Sequence, residues 1–160
     1  MHLMGAAVLA VALNLSLSTV SVAASQQVAA DDGSGQFNAI GTREDALLMV
    51  TLVRSTMIGV HQGLVSGNYS VMRDLAAPSF RQRNSAGDLE RVFTPLKQQG
   101  VNLEAVAIID PVITRASIDE NRILLIEGTV ATPPRPIRFE MMFQNIDRSW
   151  ALFGIRIRPE

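Results

Sequence analysis

The spacing of hydrophobic residues divides the chain into two parts. From Thr42 to Gly100, apolar residues recur every three or four positions, which is the period of an amphipathic α-helix. From Val101 onward the period is two and turn residues follow at short intervals, as is typical of antiparallel strands. This order predicts an α+β domain, residues 42–160, in which three N-terminal helices pack on a strongly curved, mixed or antiparallel sheet of four to five strands. We expect the sheet to wrap around the first helix and to make the domain cone-shaped.

The first predicted helix is long and amphipathic. It begins with the capping-box pattern Thr42-x-x-Asp45 and ends at Gly67, a residue suited to the left-handed conformation that closes helices. A second apolar set, Leu47, Ile58 and Val65, lies beside the core face. Arg54 and His61 lie seven residues apart, so they project one above the other between the two sets, inside a broad apolar face. The residues predicted for that core face are Ala46, Met49, Val50, Val53, Met57, Val60 and Leu64. A strip of small residues on the opposite side predicts a close crossing with another element, and it contains Thr51, Ser55, Gly59 and Gly63.

Two shorter helices are predicted next. Asn68 or Ser70 can cap the second helix, and Pro78 prevents it from continuing past the preceding residue. The third helix spans residues 85–100 and begins with another Ser-x-x-Asp capping pattern. Pro95 lies inside this third helix and is expected to kink or break it, because proline lacks the backbone donor.

Five strands are predicted after the helices, at residues 103–109, 112–118, 122–130, 137–145 and 150–158. Hairpin turns are expected at residues 119–121 and 146–149. In the fourth strand the alternation is clearest, and one face carries Ile137, Phe139, Met141 and Phe143. The opposite face carries Arg138, Glu140, Met142 and Gln144. Gly128 and Gly154 lie in mid-strand, where glycine usually marks a bulge or a sharp bend, so curvature is expected there.

The first 41 residues have a different composition. An apolar run over residues 3–13, followed by the small residues Val22, Ala23 and Ala24, predicts a signal peptide, residues 1–24. Residues 25–41 are rich in Gln, Ala, Asp, Gly and Ser, which predicts a disordered linker. We therefore expect an exported protein, periplasmic or secreted, with no stable membrane anchor once the signal is removed.

Composition narrows the classes of function. Fourteen basic and fifteen acidic residues produce no field that would attract nucleic acid. The absence of cysteine excludes disulfides, thiol nucleophiles and thiolate metal sites. After signal removal His61 is the only histidine, and a single histidine does not supply the several ligands that a metal requires. No metal and no cofactor are predicted.

A resemblance to a known family rests on residues 63–80, GLVSGNYSVMRDLAAPSF. This segment resembles the helix-break-helix signature of the nuclear transport factor two-like superfamily, the cystatin-like cone fold that includes ketosteroid isomerase and polyketide cyclases. The turn Asp147-Arg148-Ser149 followed by Trp150 is similar to the turn and Trp-bearing strand of that superfamily. The resemblance implies a cone fold over residues 42–158. It implies no single activity, because the superfamily contains enzymes, binding modules and proteins without assigned function.

The candidate ligand-binding residues are Arg54, His61, Met57 and Tyr69. We expect Arg54 and His61 to be the polar anchors of an otherwise apolar pocket, although amphipathic side chains can also keep their polar tips in water. The acid and base set of ketosteroid isomerase has no counterpart that we can place, since Tyr69 is the only tyrosine and lies in the break after the first helix. The preferred prediction is a noncatalytic domain that binds a small apolar ligand in the cone or a protein partner on its sheet. The alternative is a small isomerase or cyclase that uses His61.

The predicted sheet also suggests how the chain associates. Residues 123–126 are apolar on both faces of one strand, and Met141 and Met142 repeat this on the next, yet helices cover only one face. Because members of the resembled superfamily often dimerise through this sheet, we expect a homodimer with Met142 near the contact. The arginines Arg138, Arg156 and Arg158 are predicted to form a solvated face, or alternatively to receive a carboxylate or phosphate.

Overall fold

The computed structural model describes residues 38–39 and 41–160. The helices are α1 (Arg43–Ser66), α2 (Ser70–Asp74), α3 (Pro78–Arg83) and α4 (Ala86–Gln98). The strands are β1 (Asn38–Ala39), β2 (Val112–Ile118), β3 (Ile123–Val130), β4 (Ile137–Ile146) and β5 (Ser149–Pro159). The protein is therefore an α+β fold in which helices pack against four long antiparallel strands. The predicted signal peptide lies outside the described residues, and so does the predicted linker except for Gly41 and the two residues of β1.

The predicted limits of α1 are confirmed. The Thr42 hydroxyl accepts a hydrogen bond from the Asp45 N–H at 3.1 Å, and the Asp45 carboxylate accepts from the Thr42 N–H at 3.1 Å. These bonds satisfy donors that the first helical turn leaves free. The Thr42 hydroxyl also donates to the Asp45 carboxylate at 2.7 Å, and this bond, together with the one from the Thr42 N–H, holds the pKa of Asp45 below its ordinary value. At the other end, Gly67 adopts a left-handed φ of 73° and its N–H donates to the Gly63 carbonyl at 2.8 Å.

The core face of α1 follows the predicted pattern over most of its length. Ala46 is exposed and Val50 is half-buried, so these two residues mark its edges. The apolar content of α1 is high enough for a membrane-spanning helix by length and composition, but its buried residues take part in the core. The buried apolar residues of α1 are Met49, Val53, Met57, Val60 and Leu64.

The described residues contain four α-helices, one more than predicted. α2 ends at Asp74, before the limit that Pro78 sets. Pro78 instead begins α3, where proline is favoured because the first helical N–H needs no partner. Phe80 of α3 is buried, and the Ala77 N–H before this helix donates to the Leu152 carbonyl of β5 at 2.8 Å. α3 therefore covers one end of β5.

The predicted strand at residues 103–109 is wrong. A 3₁₀ helix, Glu104–Ala107, occupies this segment. Leu103 and Val106 are both buried while their neighbours Glu104 and Ala107 are exposed, so burial follows a period of three and not two. The Asn102 side chain accepts from the Glu104 N–H at 2.9 Å and favours a turn over an extended strand.

α4 continues through Pro95 to Gln98, so the predicted alternative of a break is wrong. Burial of Leu89, Phe93 and Leu96 anchors the helix on both sides of the proline. The capping box at Ser85 and Asp88 and the left-handed Gly100 after the helix agree with the prediction.

The strands follow one another in the order β1-β2-β3-β4-β5, each antiparallel to its neighbour. The hairpin between β4 and β5 turns at Asp147 and Arg148, both with positive φ, as a two-residue turn requires. The predicted alternation in β4 is confirmed, since its apolar set is buried against the helices and its other set is not. Register irregularities occur beside Gly128 and Gly154, the two predicted positions.

Candidate functional site

Arg54 is held by contacts within the protein. Its Nε donates to the Val106 carbonyl at 3.0 Å, and its Nη2 lies 2.5 Å from a carboxylate oxygen of Asp110. Both partners belong to the segment around the 3₁₀ helix. The guanidinium therefore fastens this segment to α1.

His61 lies two turns further along α1 and lines a different opening. The opening is shallow, has a volume of about 440 Å³ and includes Lys97 and Asn102. Lys97 donates to the Leu64 carbonyl at 3.2 Å and so satisfies an acceptor at the end of α1. Within the described residues, His61 makes no hydrogen bond or ion pair.

Met57 and Tyr69 are core residues. Met57 is completely buried and lines none of the openings described in this section. The Tyr69 ring stacks on Phe93 with centroids 5.7 Å apart and lies directly over Gly63, where a side chain would overlap it. Burial raises the pKa of the Tyr69 phenol, and the charge of Glu90 adds to the effect.

The four predicted ligand residues do not share a cavity. An apolar cleft of about 220 Å³ lies instead on the opposite flank of α1, along the strip of small residues. We call it the α1–α2 cleft. Gly59 leaves space on the α1 side, because a Cβ there would be 3.7 Å from the Met72 side chain. The apolar side chains of the cleft come from α1, α2, β4 and β5, and they include Leu52, Val71, Met72, Phe143, Trp150 and Leu152.

Polar groups in the α1–α2 cleft are few and neutral. They are the hydroxyls of Ser55 and Thr56 and the amide of Gln62, all from α1. The Ser55 hydroxyl donates to the Leu52 carbonyl at 3.1 Å, so it is already engaged with its own helix. Within the described lining there is no ionisable side chain. Such a surface suits an uncharged, mostly apolar molecule with one or two hydrogen-bonding groups.

The sequence carried one sign of this cleft. Ser55 and Gly59 were part of the small-residue strip, which predicted only close packing. The strip does pack closely at Gly63, against the Tyr69 ring, but one turn earlier, at Gly59, it opens into the cleft. The difference arises from α2, whose position relative to α1 is set by tertiary packing and has no signal in the periodicity of α1.

Groups for acid–base or metal chemistry are sparse. Among the described residues, no group of three or more His, Asp or Glu side chains is placed to hold a metal ion. The opening at His61 contains Lys97, and its described lining has no carboxylate. Among the residues that the structure describes, paired acid and base groups of the kind that isomerases need do not converge at His61 or in the α1–α2 cleft.

The sheet face away from the helices, here called the outer face, has an apolar centre. Leu125, Met142 and Gly154 lie in register across three strands, and the Met142 side chain lies over Gly154. Leu125 and Met142 are only half-buried. The next row toward the far end of the sheet is charged, with Glu127 and Glu140 in register between Arg115 and Arg156.

Comparison of the chain with protein-family models, with curated proteins and with solved structures finds no significant match.

Proposed function

We propose that this protein is a noncatalytic domain that binds a small, uncharged, apolar molecule in the α1–α2 cleft. The observation that carries the proposal is the lining of the cleft, which is apolar apart from three neutral polar side chains. An apolar opening of this kind gains free energy when a ligand removes its surface from water, at about 25 cal/mol per Å². The described lining contains no ionisable side chain, which disfavours a charged ligand because a buried charge needs a partner.

The volume of the cleft limits the size of the ligand. At about 220 Å³ it is below the roughly 300–1,000 Å³ of pockets that hold drug-sized molecules. The ligand is therefore a small ring compound or one end of a longer chain. Val71 and Leu75 at the rim are 64% and 76% exposed, so a chain that extends beyond the cleft meets further apolar surface.

We propose the superfamily, the sheet shape and the export of this protein from its sequence pattern. The signature at residues 63–80 supports membership of the nuclear transport factor two-like superfamily, and the mid-strand glycines of β3 and β5 support a strongly curved, cone-shaped sheet. The predicted signal peptide supports export. We further propose that the domain forms a homodimer through the outer face, because the described residues leave its apolar row only half-buried.

The proposal is tested through Trp150, the only tryptophan of the chain, which lines the cleft. Titration with N-phenyl-1-naphthylamine, a neutral apolar fluorophore, should give saturable energy transfer from Trp150. Gly59→Leu should abolish this transfer by filling the cleft, whereas Gly87→Leu, the same substitution at an exposed position of α4, should leave it unchanged.

Arg54→Ala and His61→Ala separate this site from the one predicted on the other flank of α1. Both variants should bind the probe as the parent protein does. Transfer that persists in Gly59→Leu, or that is lost in His61→Ala while the fold is intact by circular dichroism, would rule out the α1–α2 cleft as the binding site.

A further inference from the structure

We propose that the outer face carries a second site, which binds the carboxylate or phosphate group of a small molecule at Arg138 and Arg158. The site lies in an open trough of about 460 Å³ at the end of the sheet beyond the apolar row. Three arginines line this trough, from two neighbouring strands: Arg138, Arg156 and Arg158. The proposal does not depend on the α1–α2 cleft, which lies on the helical side of the sheet.

Strand register places two like charges side by side. Arg138 and Arg158 are directly opposite each other across β4 and β5, and Thr129 continues the same row on β3. Residues that are directly opposite have Cβ atoms about 4.5–5.5 Å apart, and like charges at that separation destabilise a sheet. An anion between the two guanidinium groups would remove this repulsion.

Among the described residues, the carboxylates of the outer face leave one arginine without a counter-charge. Glu127 pairs with Arg115 and Glu140 pairs with Arg156, at 3.7 and 3.3 Å. Arg138 pairs with Glu160 at 3.0 Å. Arg158 forms no ion pair with any described residue, although it lines the trough and is exposed.

The bonds of Arg138 leave part of its guanidinium available. Its Nε and Nη2 both donate to one oxygen of Glu160, at 3.2 and 3.0 Å, so Nη1 has no partner among the described residues. The planar forks of two arginines match the geometry of a carboxylate or phosphate, which accepts paired N–H bonds. Thr129 adds a hydroxyl at the same row of the trough.

The neighbouring glutamates restrict the charge of the ligand. Glu127 and Glu140 also line the trough, so a highly charged polyanion would meet two carboxylates beside the two arginines. The site therefore favours a single oxyanion group on a small molecule over a polyanion.

The test uses the intact chain and follows the arginine Nε–Hε signals by NMR at constant ionic strength. Inorganic phosphate and acetate are titrated separately, and the anion that binds more tightly identifies the anionic group of the ligand. Saturable shifts of the Arg138 and Arg158 signals are expected. Arg158→Gln should weaken binding by about tenfold or more, the expected loss of a charge-assisted hydrogen bond.

Two further variants make the result decisive. Glu160→Gln should strengthen binding, because it releases Arg138 from a competing carboxylate. Arg43→Gln, an equal change of charge at the exposed start of α1, should have no effect. Shifts that rise linearly with concentration, or that are the same in Arg158→Gln and Arg43→Gln, would show general ionic screening and overturn the proposal.

Discussion

Tyr69 is positioned by contacts with two helices. Gly63 of α1 leaves room for the ring, and Phe93 of α4 stacks on it at 5.7 Å between centroids. The ring is only 2% exposed, and it joins the end of α1 to α4. A residue that sequence reasoning assigned to a ligand site thus has a structural role in the packing of two helices.

Ionisation of Tyr69 should destabilise the fold. Its pKa is raised above the ordinary value of 10.0 by burial, so the folded state holds the proton more tightly than the unfolded state. The contribution of Tyr69 to stability should therefore be fully present below about pH 10 and be lost as the pH rises through the higher pKa of the folded protein. Absorbance at 295 nm measures the titration directly, because the chain has no other tyrosine.

The matched control is Tyr69→Phe. Urea midpoints measured from pH 8 to pH 11 should decrease less in this variant than in the parent protein. A phenol that titrates at its ordinary value in the folded protein, as monitored at 295 nm, would contradict the burial argument.

At the scale of elements, Gly59 and Gly63 of α1 have different packing environments. A Cβ at position 59 would make ordinary contacts with Met72 at 3.7 Å. At position 63 it would lie 2.7 Å from Cζ of Tyr69 and still closer to two other ring atoms. The first glycine opens the α1–α2 cleft, whereas the second permits close packing.

We therefore predict that Gly59→Ala and Gly63→Ala change stability in opposite directions. Gly59→Ala should raise the free energy of unfolding by up to about 1 kcal/mol, because alanine is the better helix former. Gly63→Ala should lower it by about 1–3 kcal/mol, because a buried ring must move. Thermal or urea unfolding of both variants provides the measurement, and stabilisation by Gly63→Ala would contradict the described contact.

The sequence predicted those elements whose signals are local. Capping boxes, glycine stops and alternating strands depend on residues a few positions apart, and α1, α4 and the four long strands were correctly placed on that basis. The strand prediction for residues 103–109 failed because this short apolar segment, which includes Leu103 and Val106, is too short for periodicity to distinguish a strand from a helical turn. The α1–α2 cleft was missed because it depends on where α2 and the β4–β5 hairpin lie in space.

The same limit applies to the predicted ligand residues. Helical periodicity predicted Arg54 and His61 between two apolar sets, but Leu47 and Val65 of the second set are 61% and 71% exposed, so only the core face is buried beside them. The periodicity contained no information about what would pack there. The Arg54 guanidinium donates to the Val106 carbonyl and to Asp110, which lie more than fifty residues away in the chain. Long-range partners of this kind decide whether a polar side chain is structural or available to a ligand.

At the scale of the whole molecule, the two faces of the sheet differ in what covers them. The helices and the inner face form one core, in which the largest side chains include Phe139 and Phe143 of β4. The outer face has charged pairs at one end and the half-buried Leu125 and Met142 beside them. An apolar row bordered by charges is the composition expected of an interface with a polar rim.

The homodimer proposed for this face has a direct test in Met142→Lys. A lysine at this position would place a charge in the apolar row, where the second copy would have to bury it without a partner. Multi-angle light scattering at high micromolar concentration should show a dimer for the parent protein and a monomer for Met142→Lys. The control is Val92→Lys, which adds the same charge at a 60% exposed position of α4 that is not part of the sheet, and this variant should remain dimeric. A monomeric parent protein, or a dimer that persists in Met142→Lys, would mean that the outer face does not hold a second copy of the chain.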